Sequence, residues 1–336
     1  MTDPAWVPTG VATGIGSLPG TDPVEALRLV LDELPDFPHL PELPARGPGA
    51  DLLGRTAALL PDLPVDLQPA GWRMVQRPGR DLRRAIDYLT HDLDTLEEHA
   101  GEYDGPVKLA VAGPWTLAAG IELHRGDKLL ADHGAVRDLI QSLAQGLAGH
   151  VADVARRLPR ATVTVQLDEP SLPAVLAARI PTASGYDTLR AVTEQDAETA
   201  LRAVLGATGT AATVLHCCGH DAPIALLHRA GAHGLSLDAT LLTKLHDEAL
   251  GTAVEAGVAL LLGVVESTDT DLPDVPASVA GVRALWGRLG FAPELLPGIV
   301  TLTPRCGLAG ASPAYARTAM ARCRDAATLL VDEPEG

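Results

Sequence analysis

Ala211-Ala212-Thr213-Val214-Leu215-His216-Cys217-Cys218 passes, without a break, from an apolar and β-branched run into a histidine and two cysteines. The run reads as a strand, because aliphatic and β-branched side chains suit a pleated, half-buried surface. Side chains alternate along a strand, so His216 and Cys218 face one side together while Cys217 faces the other. Gly298-Ile299-Val300-Thr301-Leu302 has the same character and leads to Pro304-Arg305-Cys306-Gly307, which carries a further thiol to a strand end. A nitrogen and two sulfurs meeting at strand ends form a donor set that zinc prefers.

The same pattern recurs along the chain. Apolar or β-branched runs fall at 11–18, 37–43, 107–111, 161–167, 212–215, 234–237, 258–265 and 299–302. Several are continuously apolar, as parallel strands buried on both faces are. Between them lie stretches with helical spacing. Asp22-Pro23 opens one with a cap residue and a first-turn proline. Others span 81–99, 134–158, 188–205, 221–230 and 241–256, and Ser312-Pro313 opens a last one ending near Leu330, before an acidic tail from about 331. Strand and helix alternating in this way predict an α/β fold, a single (β/α)8 TIM barrel over 1–336, rather than an open doubly wound sheet. The weakest strand is Phe37-Pro38-His39-Leu40-Pro41-Glu42-Leu43-Pro44, because proline cannot sit in a central ladder.

The bulk properties narrow the function. The chain has 336 residues, 46% of them hydrophobic but only 3% aromatic, and a formal net charge of -17. A nucleic-acid partner is not expected, since that surface needs a basic footprint and stacking aromatics. No apolar stretch approaches a membrane span, and Met1 to Trp6 lacks the basic and apolar regions of a secretory signal. Cysteines 217, 218, 306 and 323 do not make a disulfide framework, so a reducing cytoplasm is the expected compartment.

Barrels of this class run their chemistry at the C-terminal ends of the strands. The residues expected there are Gly16-Ser17, Gly113-Pro114-Trp115-Thr116, Asp168-Glu169-Pro170, His216 to Cys218, Asp238, Glu266-Ser267-Thr268 and Arg305-Cys306. Asp168 is placed to hold a substrate ammonium. Cys323, in an Ala-rich helical stretch, and Cys217, on the wrong face, read as packing residues. His220, His228, His233 and His246 read as turn or surface residues.

Together these motifs resemble the catalytic domain of cobalamin-independent methionine synthase, in the barrel superfamily that also holds uroporphyrinogen decarboxylase. Thr13-Gly14-Ile15-Gly16-Ser17-Leu18-Pro19 is similar to the family's Ile-Gly-Ser-Phe-Pro opening. Gln166-Leu167-Asp168-Glu169-Pro170-Ser171-Leu172 resembles Gln-Ile-Asp-Glu-Pro-Ala-Leu, whose Asp contacts the homocysteine amino group. His216 and Cys218 match the His-x-Cys zinc pair, and Cys306-Gly307-Leu308 matches the last zinc-binding segment. The resemblance implies zinc on His216, Cys218, Cys306 and Asp238, the last standing where the family has a Glu. It also implies substrate contacts from Ile15, Gly16, Ser17, Glu42 and Asp168. At the place of the family's proton-donating His, this chain has Thr268.

The expected activity is zinc-dependent methyl transfer to a small-molecule thiol, homocysteine, giving methionine. A free thiol near pKa 8.5 is mostly protonated at neutral pH, and a metal corrects that. Thr268 is a poor proton donor to a nitrogen leaving group, so a methylcorrinoid or corrinoid protein is expected as donor rather than methyltetrahydrofolate. The alternatives are zinc-dependent alkylation of another thiol, and a non-catalytic barrel that binds metal or substrate.

Overall fold

The computed structural model describes residues 6–335. A short antiparallel hairpin, β1 (Val65–Gln68) and β2 (Gly71–Met74), precedes a parallel sheet whose strands neighbour one another in chain order. These are β3 (Pro106–Ala112), β4 (Thr162–Asp168), β5 (Ala212–Cys217), β6 (Gly234–Asp238), β7 (Ala259–Val265) and β8 (Val300–Pro304). Helices α1 (Pro23–Glu33), α2 (Leu52–Ala57) and α3 (Arg80–Ala100) come before β3, and α4 (Pro114–Gly120) and α5 (His133–Arg157) before β4. Then follow α6 (Leu172–Leu176), α7 (Glu194–Gly206), α8 (Ile224–Arg229) and α9 (Asp247–Glu255). The last are α10 (Val275–Leu289), α11 (Leu296–Ile299) and α12 (Pro313–Asp332).

The barrel closes through the segments at 11–18 and 37–43, which join it by isolated bridges instead of ladders. Ala12 pairs with Leu302 of β8, Ser17 with Glu42, and His39 with Lys108 of β3. Thr13 N donates to Leu302 O (3.0 Å), Glu42 N to Gly16 O (3.1 Å) and Lys108 N to Pro38 O (2.9 Å). The (β/α)8 architecture is therefore present as six laddered strands and two irregular staves. In the second stave Pro38 and Pro41 are a reason, because each removes a donor that a continuous ladder would use.

Alternation divides the barrel wall. On β4, Val163, Val165 and Leu167 join the outer core beneath the helices, while Gln166 and Asp168 turn inward. At the N-terminal mouth the inside is apolar: Val7, Val11, Phe37, Val214, Ala259 and Leu261 pack together with Trp6 against them. Each large aliphatic side chain so buried stabilises the fold by about 1.5–3 kcal/mol. Gly234 makes room for the plug, since a Cβ there would lie 3.0 Å from the Trp6 ring. Above this floor the interior is polar and opens towards the C-terminal face.

Several helix ends follow their sequence signals. Asp22 accepts from Val24 N (2.8 Å) ahead of Pro23, and Ser312 from Tyr315 N (3.2 Å) ahead of Pro313. The helix expected from 188 instead begins at Glu194, where Thr193 caps it, and 181–188 folds into a small bridged loop. The helix expected from 241 instead begins at Asp247, after 3-10 turns at Ala239–Leu241 and Lys244–His246. The final helix continues to Asp332, two residues past the expected end.

Candidate metal and substrate site

His216, Cys218 and Cys306 meet at the C-terminal mouth, with their donor atoms all within 4.8 Å of one another. His216 is buried on β5, Cys218 is half-buried just past its end, and Cys306 is exposed in the loop after β8. Cys217 lies in the outer core as strand alternation requires. The His216 Nδ1 is 2.9 Å from Ser236 Oγ on β6. With Nδ1 so engaged, Nε2 is the nitrogen left to bind a metal, the tautomer control usual at such sites. The Cys218 thiol donates to Cys306, Sγ to Sγ 3.0 Å. That contact draws the Cys306 thiol down, against burial and with help from His216, while it pushes Cys218 up. One imidazole nitrogen and two sulfurs fit zinc better than a hard cation that selects oxygen.

The neighbouring wall is built on strand β4. Asp168 is buried, and its Oδ1 accepts from Gln166 Nε2 at 2.7 Å. Burial raises its pKa, opposed by His216, the Gln166 contact and Lys108. Glu169 turns the other way and closes the first turn of α4, accepting from Trp115 N (2.9 Å), Thr116 N (2.8 Å) and Thr116 Oγ1 (2.8 Å). The acidic pair therefore divides its work: Glu169 builds the wall and Asp168 faces the site. Glu42 approaches from the second stave, buried, with Arg55 Nε 3.5 Å from its Oε1. Burial pushes its carboxyl up to about 7, which Arg55 opposes and Asp168 reinforces.

The turn at Ile15 to Ser17 abuts both groups. A Cβ at Gly16 would lie 3.1 Å from Glu42 Oε2, and one at Gly307 would lie 2.0 Å from Ser17 Oγ. Both glycines are thus explained by close approach. Leu308 N donates to Ser17 O (2.8 Å), which pins the first loop to the loop of Cys306. The Ile15 carbonyl accepts from Lys108 Nζ (2.8 Å) and Gln166 Nε2 (2.9 Å), so it is fully engaged. The N–H groups of Ile15, Gly16 and Ser17 make no backbone hydrogen bond among the described residues.

Two sequence candidates stand apart. Asp238 is not brought into the His-Cys-Cys group: its Oδ1 accepts from Thr240 N (2.8 Å) and Thr240 Oγ1 (2.6 Å), because the chain leaves β6 through a tight 3-10 turn. Thr268 is exposed on the rim, across from Gly310. Its neighbour Ser267 holds the Cys306 loop, accepting from Cys306 N at 2.8 Å. Sequence reading missed Lys108 and Ser236. The available signal for Lys108 was a lone cation inside an apolar strand, where a buried charge needs partners.

A cavity of about 940 Å³ lies elsewhere, on the outer wall between α5, α7 and the 188–193 segment. Of the residues expected at the strand ends, Trp115 reaches its lining, but His216, Cys218, Cys306, Asp168 and Glu42 do not, and the convergence of donor groups locates the chemistry better than volume does.

Residues 8–329 match the family model described as cobalamin-independent synthase, catalytic domain. Among solved structures, the chain is similar to a B12-independent methionine synthase from Shewanella sp. W3-18-1 in complex with selenomethionine. The two are 12% identical, with 97% of this chain and 98% of that chain covered and a TM-score of 0.63, a likeness of fold. GH5_18 from Streptomyces cattleya in complex with GlcNAc aligns over 96% of this chain and 81% of its own, at 16% identity and a TM-score of 0.49. No curated protein matches the chain.

Proposed function

The chain belongs to the cobalamin-independent methionine synthase catalytic-domain family, and on that premise we propose that it methylates homocysteine at a zinc site held by His216, Cys218 and Cys306. The observation that carries this reading is the convergence of those three residues from separate strand ends. Bound zinc would supply a thiol nucleophile at neutral pH, without redox chemistry. Asp238, the sequence candidate for a further ligand, is engaged by Thr240, and we assign the remaining position to the substrate sulfur.

The chain's own residues then orient the amino acid. Asp168 and Glu42 accept the substrate ammonium, a charge-assisted contact worth about 1.5–3 kcal/mol. The N–H groups of Ile15 to Ser17 receive the carboxylate, since the Ile15 carbonyl is already engaged. Ser236 keeps the His216 ring in register, and Ser267 keeps the Cys306 loop in place.

The donor is assigned by the proton it needs. The loop after β7 reads Glu266-Ser267-Thr268-Asp269, with no imidazole to protonate a nitrogen leaving group. We assign the donor to an activated methyl carrier, a methylcorrinoid, which leaves without that proton. The test is homocysteine methylation by zinc-loaded protein with methylcobalamin or methyltetrahydrofolate as donor. Turnover with methylcobalamin alone is expected; turnover with methyltetrahydrofolate alone overturns the donor assignment and leaves the thiol reading standing.

A further inference from the structure

We propose that Lys108 is a positioning residue for the amino-acid end of the thiol substrate: from inside the barrel it fixes Gln166 and the Ile15 carbonyl, and through Gln166 the Asp168 carboxylate. The inference rests on the homocysteine reading above. Lys108 sits on β3 and is completely buried. Its Nζ donates to Gln166 Oε1 at 2.6 Å and to Ile15 O at 2.8 Å.

The first of these contacts decides which way the Gln166 amide points. With Oε1 turned to the cation, Nε2 must face acceptors, and it donates to Asp168 Oδ1 (2.7 Å) and Ile15 O (2.9 Å). Without the cation the amide can turn over and present oxygen to the carboxylate, a repulsive contact. One ammonium thus ties the first stave, β3 and β4 together at the level where the substrate's amino-acid end is held. Its charge also matters. Burial lowers the Lys108 pKa to about 8, while Asp168 and Glu42 hold it up, so the group stays largely protonated at neutral pH. Two buried carboxylates facing one point would otherwise repel each other.

The experiment uses the zinc-loaded full chain and Lys108→Met, which keeps the volume but removes the donor. Dissociation constants are measured for homocysteine and for 4-mercaptobutyrate, which has the same thiol and carboxylate but no amino group. In the wild type, homocysteine binds more tightly. In Lys108→Met the preference for homocysteine is expected to fall about 10- to 100-fold, the worth of a hydrogen bond to a charged group, with zinc content unchanged. A folded, zinc-loaded Lys108→Met that keeps the wild-type preference overturns the proposal. Wild-type protein that binds neither thiol overturns the homocysteine reading itself, and the proposal falls with it. Should Lys108→Met not fold, Gln166→Leu carries the same test from the other side: loss of the preference is expected, and an unchanged preference overturns the proposal.

Discussion

His216 and Cys218 face one point because a strand turns alternate side chains to one side, and that much is legible in the His-Cys-Cys triplet. Cys306 is legible as well, since it follows a strand of the same kind. Asp238 is different. A residue at the last position of a strand points where the outgoing turn sends it, and here Thr240 claims its carboxylate. Substitutions separate these roles. Cys218→Ser or Cys306→Ser should lower zinc affinity by more than about a hundredfold, beyond the effect usual for outer-shell partners. Asp238→Ala should keep its zinc and lose about 1 kcal/mol of stability from the turn. Zinc titration against a competing chelator reads the first effect, and thermal melts read the second. An Asp238→Ala protein that loses zinc as the cysteine variants do would make Asp238 a ligand.

At the scale of elements, the junction of β7 and β8 holds the Cys306 half of the site in place. The register between them shifts at Gly263 and Val265. A Cβ at Gly263 would lie 2.5 Å from Arg305 Cα, a backbone atom that cannot swing aside. Arg305 N donates to Val265 O (2.8 Å), and the Arg305 side chain pairs with Glu266. Gly263→Ala should therefore push the Cys306 loop away, weakening zinc binding about tenfold and costing about 1–3 kcal/mol. Matched zinc titrations and denaturant unfolding measure both, and normal zinc affinity in the variant would show that the loop does not depend on this approach. Helix starts with a capping residue and proline, at Asp22-Pro23 and Ser312-Pro313, were readable directly. The start of α7 was not, because the apolar residues at 189 and 192 fit a helical period but pack as a loop before Thr193. The hairpin β1–β2 was likewise unread; its pairing is held by the loop at Glu122, which bridges Arg73.

For the molecule as a whole, alternation of strand and helix was enough to predict a barrel, and the two proline-bearing or irregular staves explain why only six strands ladder. What no periodicity carried was the polar interior. Lys108, Gln166 and the Ile15 carbonyl are more than fifty residues apart from one another in sequence and meet only once the staves close. Among the described residues no helix is long and apolar enough to cross a membrane. The barrel thus sets an apolar floor at one end and, at the other, a His-Cys-Cys group able to hold a soft metal, beside buried carboxylates. The central claim, that this end receives a thiol on zinc, is tested most directly by zinc X-ray absorption of the loaded protein before and after homocysteine is added. The account predicts a nitrogen-and-sulfur zinc shell that gains one sulfur neighbour on addition; a shell left unchanged by saturating homocysteine would contradict it.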